Sequence, residues 1–320
     1  MTRPTAASAR KPAPRIASLL ASGTEIVVEL GLEEQLVAIS HECDYPPRVL
    51  DRPRVSRPRF EPQGLTSGEL DAAVRAAMAE HGSVYLIDDG MIGSLAPDLI
   101  LAQAVCEVCA VPTFGVAEVV ARNGLAAEVL SLDAHTIAEV LESILAVGAA
   151  AGVAHRAGAF VAMLRARLDR VRRRIADAGH QRVLAIEWFD PPFVPGHWVP
   201  EMIEIAGGEC LAGEAGRPSR QVTWNELAGL DPDVLLLMPC GYDLETTRAD
   251  AGRFADRLTA AAPRAIAAGR AFVVDGSSYF NRSGPRVIDG VEILAGLLHP
   301  ERSPSPPVTV AERWDPLPVS

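Results

Sequence analysis

The chain has 320 residues, 48% of them hydrophobic and 22% charged, with a net charge of −11. That length suits about two domains with full hydrophobic cores, and the acidic balance argues against a nucleic-acid partner, whose phosphates demand a clustered basic face. No run of about 18 apolar residues occurs, so insertion into a membrane as a helix is not expected.

Residues 1–14 are polar and Pro-rich and are expected to be disordered. IASLLAS (16–22) is too short for a signal peptide and runs straight into a polar turn. The expected location is therefore cytoplasmic. In that reducing compartment the five cysteines are read as core thiols, redox groups or metal ligands, not disulfides.

RIASLL (15–20), LVAIS (36–40), SVYLID (83–88) and DLILAQ (98–103) read as strands of a first lobe, residues 15–132. GTEIVVELGL (23–32) and SGELDAAVRAAMAEHG (67–82) read as its helices. The segment 133–179 contains no Pro and no strand signal, and Leu164, Leu168, Val171 and Ile175 recur at helical spacing. Its second half predicts one helix of about 25 residues, long enough at about 1.5 Å per residue to bridge two lobes. The basic run RARLDRVRRR (165–174) within it is read as a solvated helix face.

RVLAIEW (182–188), DVLLLMP (233–239) and RAFVVDG (270–276) read as strands of a second lobe, 180–300, followed by a Pro-rich tail, 301–320, expected as an extended strap. Apolar strands alternating with helices predict an α/β fold with parallel sheets covered on both faces. The architecture expected is two Rossmann-like α/β lobes joined by one long backbone helix, with a ligand cleft between them. LAPDLILAQAVC (95–106) and LDPDVLLLMPC (230–240) share one plan, Pro-Asp, apolar strand, then cysteine, which relates the lobes to each other.

Ligands of open α/β sheets bind beyond the carboxyl ends of the strands. Ser22, Gly23 and Thr24 fall there, opening a helix whose first amides suit an anion. So do His41 and Cys43, Cys106 and Cys109, Cys240 and Tyr242, and Tyr279, Arg282 and Arg286. The loop WFDPPFVPGHW (188–198) adds Trp188, Phe193, His197 and Trp198, held by prolines and suited to a large flat ligand with an apolar body. Arg282 and Arg286 suit carboxylate, amide or phosphate groups. If the lobes face each other, all of these line one cleft.

CEVC (106–109) is a Cys-x-x-Cys pair. Cys43, Cys106, Cys109 and Cys240, with His41 as an alternate ligand, could hold Zn²⁺ or an iron–sulfur cluster; equally, the thiols could simply be packed. Cys210 is read as structural. There is no G-x-x-x-x-G-K-[ST], G-x-S-x-G or H-E-x-x-H motif, so binding is expected ahead of catalysis.

RIASLLASGTEIVVELGLEEQLVAISHECDYPP (15–47) resembles the opening of the helical-backbone substrate-binding proteins, the periplasmic binding family that carries vitamin B12, haem and ferric siderophores. SHECDYPP, LAPDLILAQAVCEVCAV, GHWVPEMIEIAGG, PCGYDL and YFNRSGPRVIDGVEILAGLLHP are similar to its cobalamin-binding branch. The resemblance covers roughly 15–300. It implies two lobes on a single long helix, limited hinge motion, cobalamin or a related corrinoid as a small metal-containing ligand, and an ABC permease as the family's partner. The intracellular alternative is a metalloprotein whose clustered cysteines bind the metal themselves.

Overall fold

A computed structural model describes residues 13–103 and 113–316. The first lobe carries β1 (Ile16–Ser18), β2 (Leu36–Ile39), β3 (Ser56–Pro58), β4 (Tyr85–Ile87), β5 (Leu99–Ala102) and β6 (Glu128–Ser131). Four of them form a parallel sheet in the order β2-β1-β5-β6. Every residue of β1 and β5 is buried, as a central strand covered on both faces requires.

SVYLID does not join that sheet as expected. Its strand β4 pairs antiparallel with β3, and all three of its residues are only half-buried. The fourth place goes to β6, whose sequence EVLS begins with an exposed Glu and gave no strand signal.

The second lobe carries β7 (Gln181–Ile186), β8 (Trp188–Phe189), β9 (Pro192–Val194), β10 (Gly208–Cys210), β11 (Arg220–Gln221), β12 (Val234–Leu237), β13 (Ala271–Val274) and β14 (Ala311–Arg313). Its main sheet runs β10-β7-β12-β13-β14, parallel except for the last strand. The Pro-rich tail is thus more than a strap: it returns to the sheet edge as β14 and buries Trp314. The aromatic loop folds as the hairpin β8–β9, with β11 alongside.

The shared Pro-Asp plan has a structural counterpart in each lobe. The Asp98 carboxylate accepts the Arg15 N–H at 2.8 Å, and Asp233 accepts that of Arg182 at 2.9 Å. Each aspartate ties the start of one strand to the first strand of its lobe.

Between the lobes lie helices Ile137–Ala150 and Ala154–Ile175, the second 22 residues long. Ala157, Val161, Leu164, Leu168, Val171 and Ile175 form its buried stripe, and Arg172 to Arg174 sit in its last turn, where the helix dipole favours cations. The two helices approach so closely that a Cβ on Gly148 would lie 2.3 Å from the Ala157 methyl. Neither helix can yield without moving backbone, so Gly148→Ala is expected to cost about 1–3 kcal/mol, read as a lowered midpoint in urea denaturation. Among the described residues no helix is long and apolar enough to cross a membrane.

Candidate functional site

The lobes meet along a seam of charged side chains. Glu25 projects from helix Ala21–Glu29 of the first lobe, its side chain 3% exposed. Arg286 of the second lobe donates to both of its oxygens, at 2.6 and 3.1 Å. Arg282 grips the Asp44 carboxylate with two nitrogens, at 2.5 and 2.9 Å, and lies 3.8 Å from Glu25. Such two-pronged contacts fix orientation as well as charge. The Arg286 guanidinium also stacks 4.3 Å from the Tyr45 ring centroid and 5.5 Å from that of Tyr279.

The close approach depends on small residues. Ser22 and Ser283 hydroxyls lie 3.3 Å apart across the seam, and a Cβ on Gly284 would meet Ser22 Cβ at 3.1 Å. Burial pushes the Glu25 carboxyl above its ordinary range, and the Arg286 hydrogen bonds and charge oppose that shift. For Asp44, burial acts in the same sense, but the Arg282 hydrogen bond and charge outweigh it and hold the group low.

Beyond the seam, His41, Glu42 and Tyr85 of the first lobe face Glu187, Trp188, Cys240 and Tyr242 of the second. His41 Nδ1 bonds Ser56 Oγ at 2.8 Å, and its ring packs 4.8 Å from Tyr85. Its Nε2 lies 3.1 Å from Glu42, within ion-pair distance but off hydrogen-bonding geometry. Burial would raise the Glu42 carboxyl, yet His41 and Arg282 hold it low.

Opposite, the Cys240 N–H donates to the Glu187 carbonyl at 3.0 Å. Burial pushes the Cys240 thiol up to about 12, with the charges of Glu187 and Glu42 adding to it. Burial also lifts the Glu187 carboxyl to about 7, against the 2.8 Å hydrogen bond donated by Ser219. Tyr85 is raised by burial and then by Glu42 and Cys240, so groups from the two lobes sit within each other's field. Trp188 and Tyr242 rings lie 5.2 Å apart, and helix Ser67–His81 reaches across to the β8–β9 hairpin, where a Cβ on Gly68 would come 2.7 Å from Asp190 Oδ2.

Not every expected residue reaches this cleft. Ser22, Gly23 and Thr24 are buried in the first turn of their helix, with Ser22 facing Ser283 and Thr24 3.0 Å from Cys43, so they form no open anion site. Cys43 is wholly buried, held also by Ser40 at 3.3 Å, and is a packed thiol. Trp198 is buried too, its indole N–H donating to the Phe280 carbonyl at 2.7 Å. Phe193 pairs with Trp188 within the hairpin. His197 lies with its Nδ1 3.1 Å from that of His135, away from the seam pairs. Cys210 packs against the core as expected.

Cys106 and Cys109 lie outside the described residues. Among the described residues no three His, Cys, Asp or Glu side chains are gathered to hold a metal, so Cys43, Cys240 and His41 do not come together by themselves, and the rest of the expected set lies outside the described residues. The expectation took proximity from strand ends alone; Cys43 turns back into its own lobe's core, whereas Cys240 faces the other lobe.

Sequence reasoning placed Glu42 and Asp44 beside the cleft only as neighbours of His41 and missed Glu25, Tyr85 and Glu187. A signal was available for Glu25, a lone carboxylate in the apolar run of its helix, since an acid on a buried face must find a partner. At the back of the seam a cavity of about 210 Å³ is lined by Glu25, Tyr45, Phe160, Met163, Arg167 and Arg286 among others.

Residues 16–277 match the family described as periplasmic binding protein. Among solved structures the chain is similar to the periplasmic vitamin B12 binding protein BtuF of Vibrio cholerae, at 23% identity and TM-score 0.66, covering 90% of this chain and 97% of that one. It is similar to a periplasmic heme binding protein from Pseudomonas aeruginosa, at 20% identity and TM-score 0.68, covering 93% and 97%. An ABC transporter substrate-binding protein from Listeria monocytogenes EGD-e matches at 18% identity and TM-score 0.66, covering 90% and 99%. No curated protein matches the chain.

The family match overturns the expected cytoplasmic location, because the family is one of periplasmic or extracellular binding proteins. That expectation rested on a polar N-terminal stretch and an apolar run too short for a signal peptide, and neither is a positive mark of the cytoplasm.

Proposed function

The chain belongs to the periplasmic binding protein family, and on that premise we propose that it captures a metal-chelate ligand of the corrinoid type between its lobes and presents it to an ABC permease. The ligand would lie between the lobe at 15–132 and the lobe at 180–300, with 133–179 as their common spine. The observation that carries this reading is a pair of aromatic contacts, Trp188 with Tyr242 in one lobe and His41 with Tyr85 in the other, tied together through Arg282, which reaches the Glu42 carbonyl of the first lobe and Ser277, itself bonded to Tyr242, in the second. Aromatic faces suit the flat body of a macrocycle, and the polar groups between them suit its rim. Two of the similar structures are named for ligands of that shape, vitamin B12 and heme.

The reading makes a direct prediction. Titrating the purified protein with cyanocobalamin is expected to quench tryptophan fluorescence in a saturable, one-site manner, and Trp188→Ala is expected to weaken binding by about tenfold, the loss of about one good stacking contact. Absence of saturable binding would overturn the corrinoid assignment.

A further inference from the structure

The three arginines of the seam and its rear cavity are engaged by carboxylates of this chain. Arg286 is held by Glu25, Arg282 by Asp44 with Glu25 nearby, and Arg167, at the back of the seam, by Asp289 and Glu292. Arg282 and Arg286 side chains are only 12% and 13% exposed. Drawing Arg286 away to meet a ligand would leave Glu25 buried and unpaired, the arrangement that costs most.

The three guanidiniums of the seam and its rear cavity, Arg167, Arg282 and Arg286, stand among six carboxylates, Glu25, Glu29, Glu42, Asp44, Asp289 and Glu292, with the Glu187 carboxyl on the cleft wall as well. His41 adds a positive charge only when protonated. The Cys240 thiol on the cleft wall is neutral, since burial pushes it up to about 12, and it suits amide or other uncharged polar rims. The whole chain adds a negative field of its own, at net charge −11.

We propose that this cleft selects uncharged metal chelates and rejects anionic ones, because carboxylate pairing leaves neither Arg282 nor Arg286 free for a ligand carboxylate. The inference rests on the binding function proposed above and narrows its ligand class. It separates a macrocycle with an amide periphery from one carrying free propionates or from an anionic siderophore complex.

The test compares cyanocobalamin with its monocarboxylic acid, in which one peripheral amide is hydrolysed, so that a negative charge replaces an amide of nearly the same size, and the salt dependence separates that charge from the lost N–H donors. The acid is expected to bind about tenfold more weakly at about 50 mM salt, with the gap narrowing at about 1 M salt as screening removes the repulsion. Asp44→Asn, which releases Arg282, is expected to narrow the gap without added salt. Equal or tighter binding of the acid by the unaltered protein would overturn the inference. If neither corrinoid binds, the corrinoid reading fails by itself, and the charge inference is decided by hemin against its dimethyl ester. Tighter binding of the ester supports charge selection and tighter binding of free hemin overturns it. If none of the four binds, both readings fall.

Discussion

Glu25→Ala is expected to destabilise the protein by about 3–5 kcal/mol, the cost of removing one partner from a buried charge pair. The side chain is 3% exposed, and its two oxygens take both Arg286 contacts while standing 3.8 Å from Arg282. Truncation leaves the Arg286 guanidinium deep in the seam without its hydrogen-bonded carboxylate, against the Tyr45 and Tyr279 ring faces. Urea denaturation would show the loss as a lower midpoint. The Glu25→Met, Arg286→Met double variant is expected to recover most of it, because an apolar pair of similar volume removes the desolvation penalty on both sides. A single Glu25→Ala change costing less than about 1 kcal/mol would mean that the seam is solvated and the lobes are not joined there.

The same pair explains what the sequence could and could not convey. β1, β5, β7, β12 and β13 announced themselves because strands buried on both faces are short runs of apolar residues, and the backbone helix because its stripe recurs every three to four residues. β6 and β10 lie at sheet edges and carry too few apolar residues to stand out. β4 had the right composition and the wrong partner, since nothing local distinguishes a parallel neighbour from an antiparallel one.

For the site, strand ends located the cleft but not which way each side chain turns. Cys43 and Cys240 both follow strands, yet one points into its own core and the other toward the opposite lobe. The pairing of Arg282 with Asp44 joins residues 238 positions apart. No spacing rule reaches that far, so Asp44 was visible only as a polar neighbour of His41.

Glu187→Gln is expected to flatten the dependence of stability on pH between about 4.5 and 7. The Glu187 carboxyl is held near 7 in the folded chain, chiefly by burial, against 4.5 when unperturbed. Between those values the folded state binds more protons than the unfolded one, so stability falls as pH rises and levels off above 7. The span would correspond to about 3 kcal/mol for a fully buried group, and to about 1–3 kcal/mol for this half-buried one, which keeps some water. Asp44 and Glu42 act with the opposite sign: their carboxyls are held low, so their contribution is complete above about 4.5 and is lost on acidification through the lowered values. The unaltered protein should therefore be most stable in mildly acid solution, with separate causes for the fall on each side. The glutamine variant should keep the acid limb, lose the Glu187 share of the neutral one while the raised Glu25 carboxyl keeps its own, and be the more stable of the two at pH 8, because it retains a polar partner for Ser219 without the buried charge. Thermal melts of both proteins from pH 3 to pH 9 would show this, and a neutral limb as steep in the variant as in the unaltered protein would assign the decline to Glu25 instead.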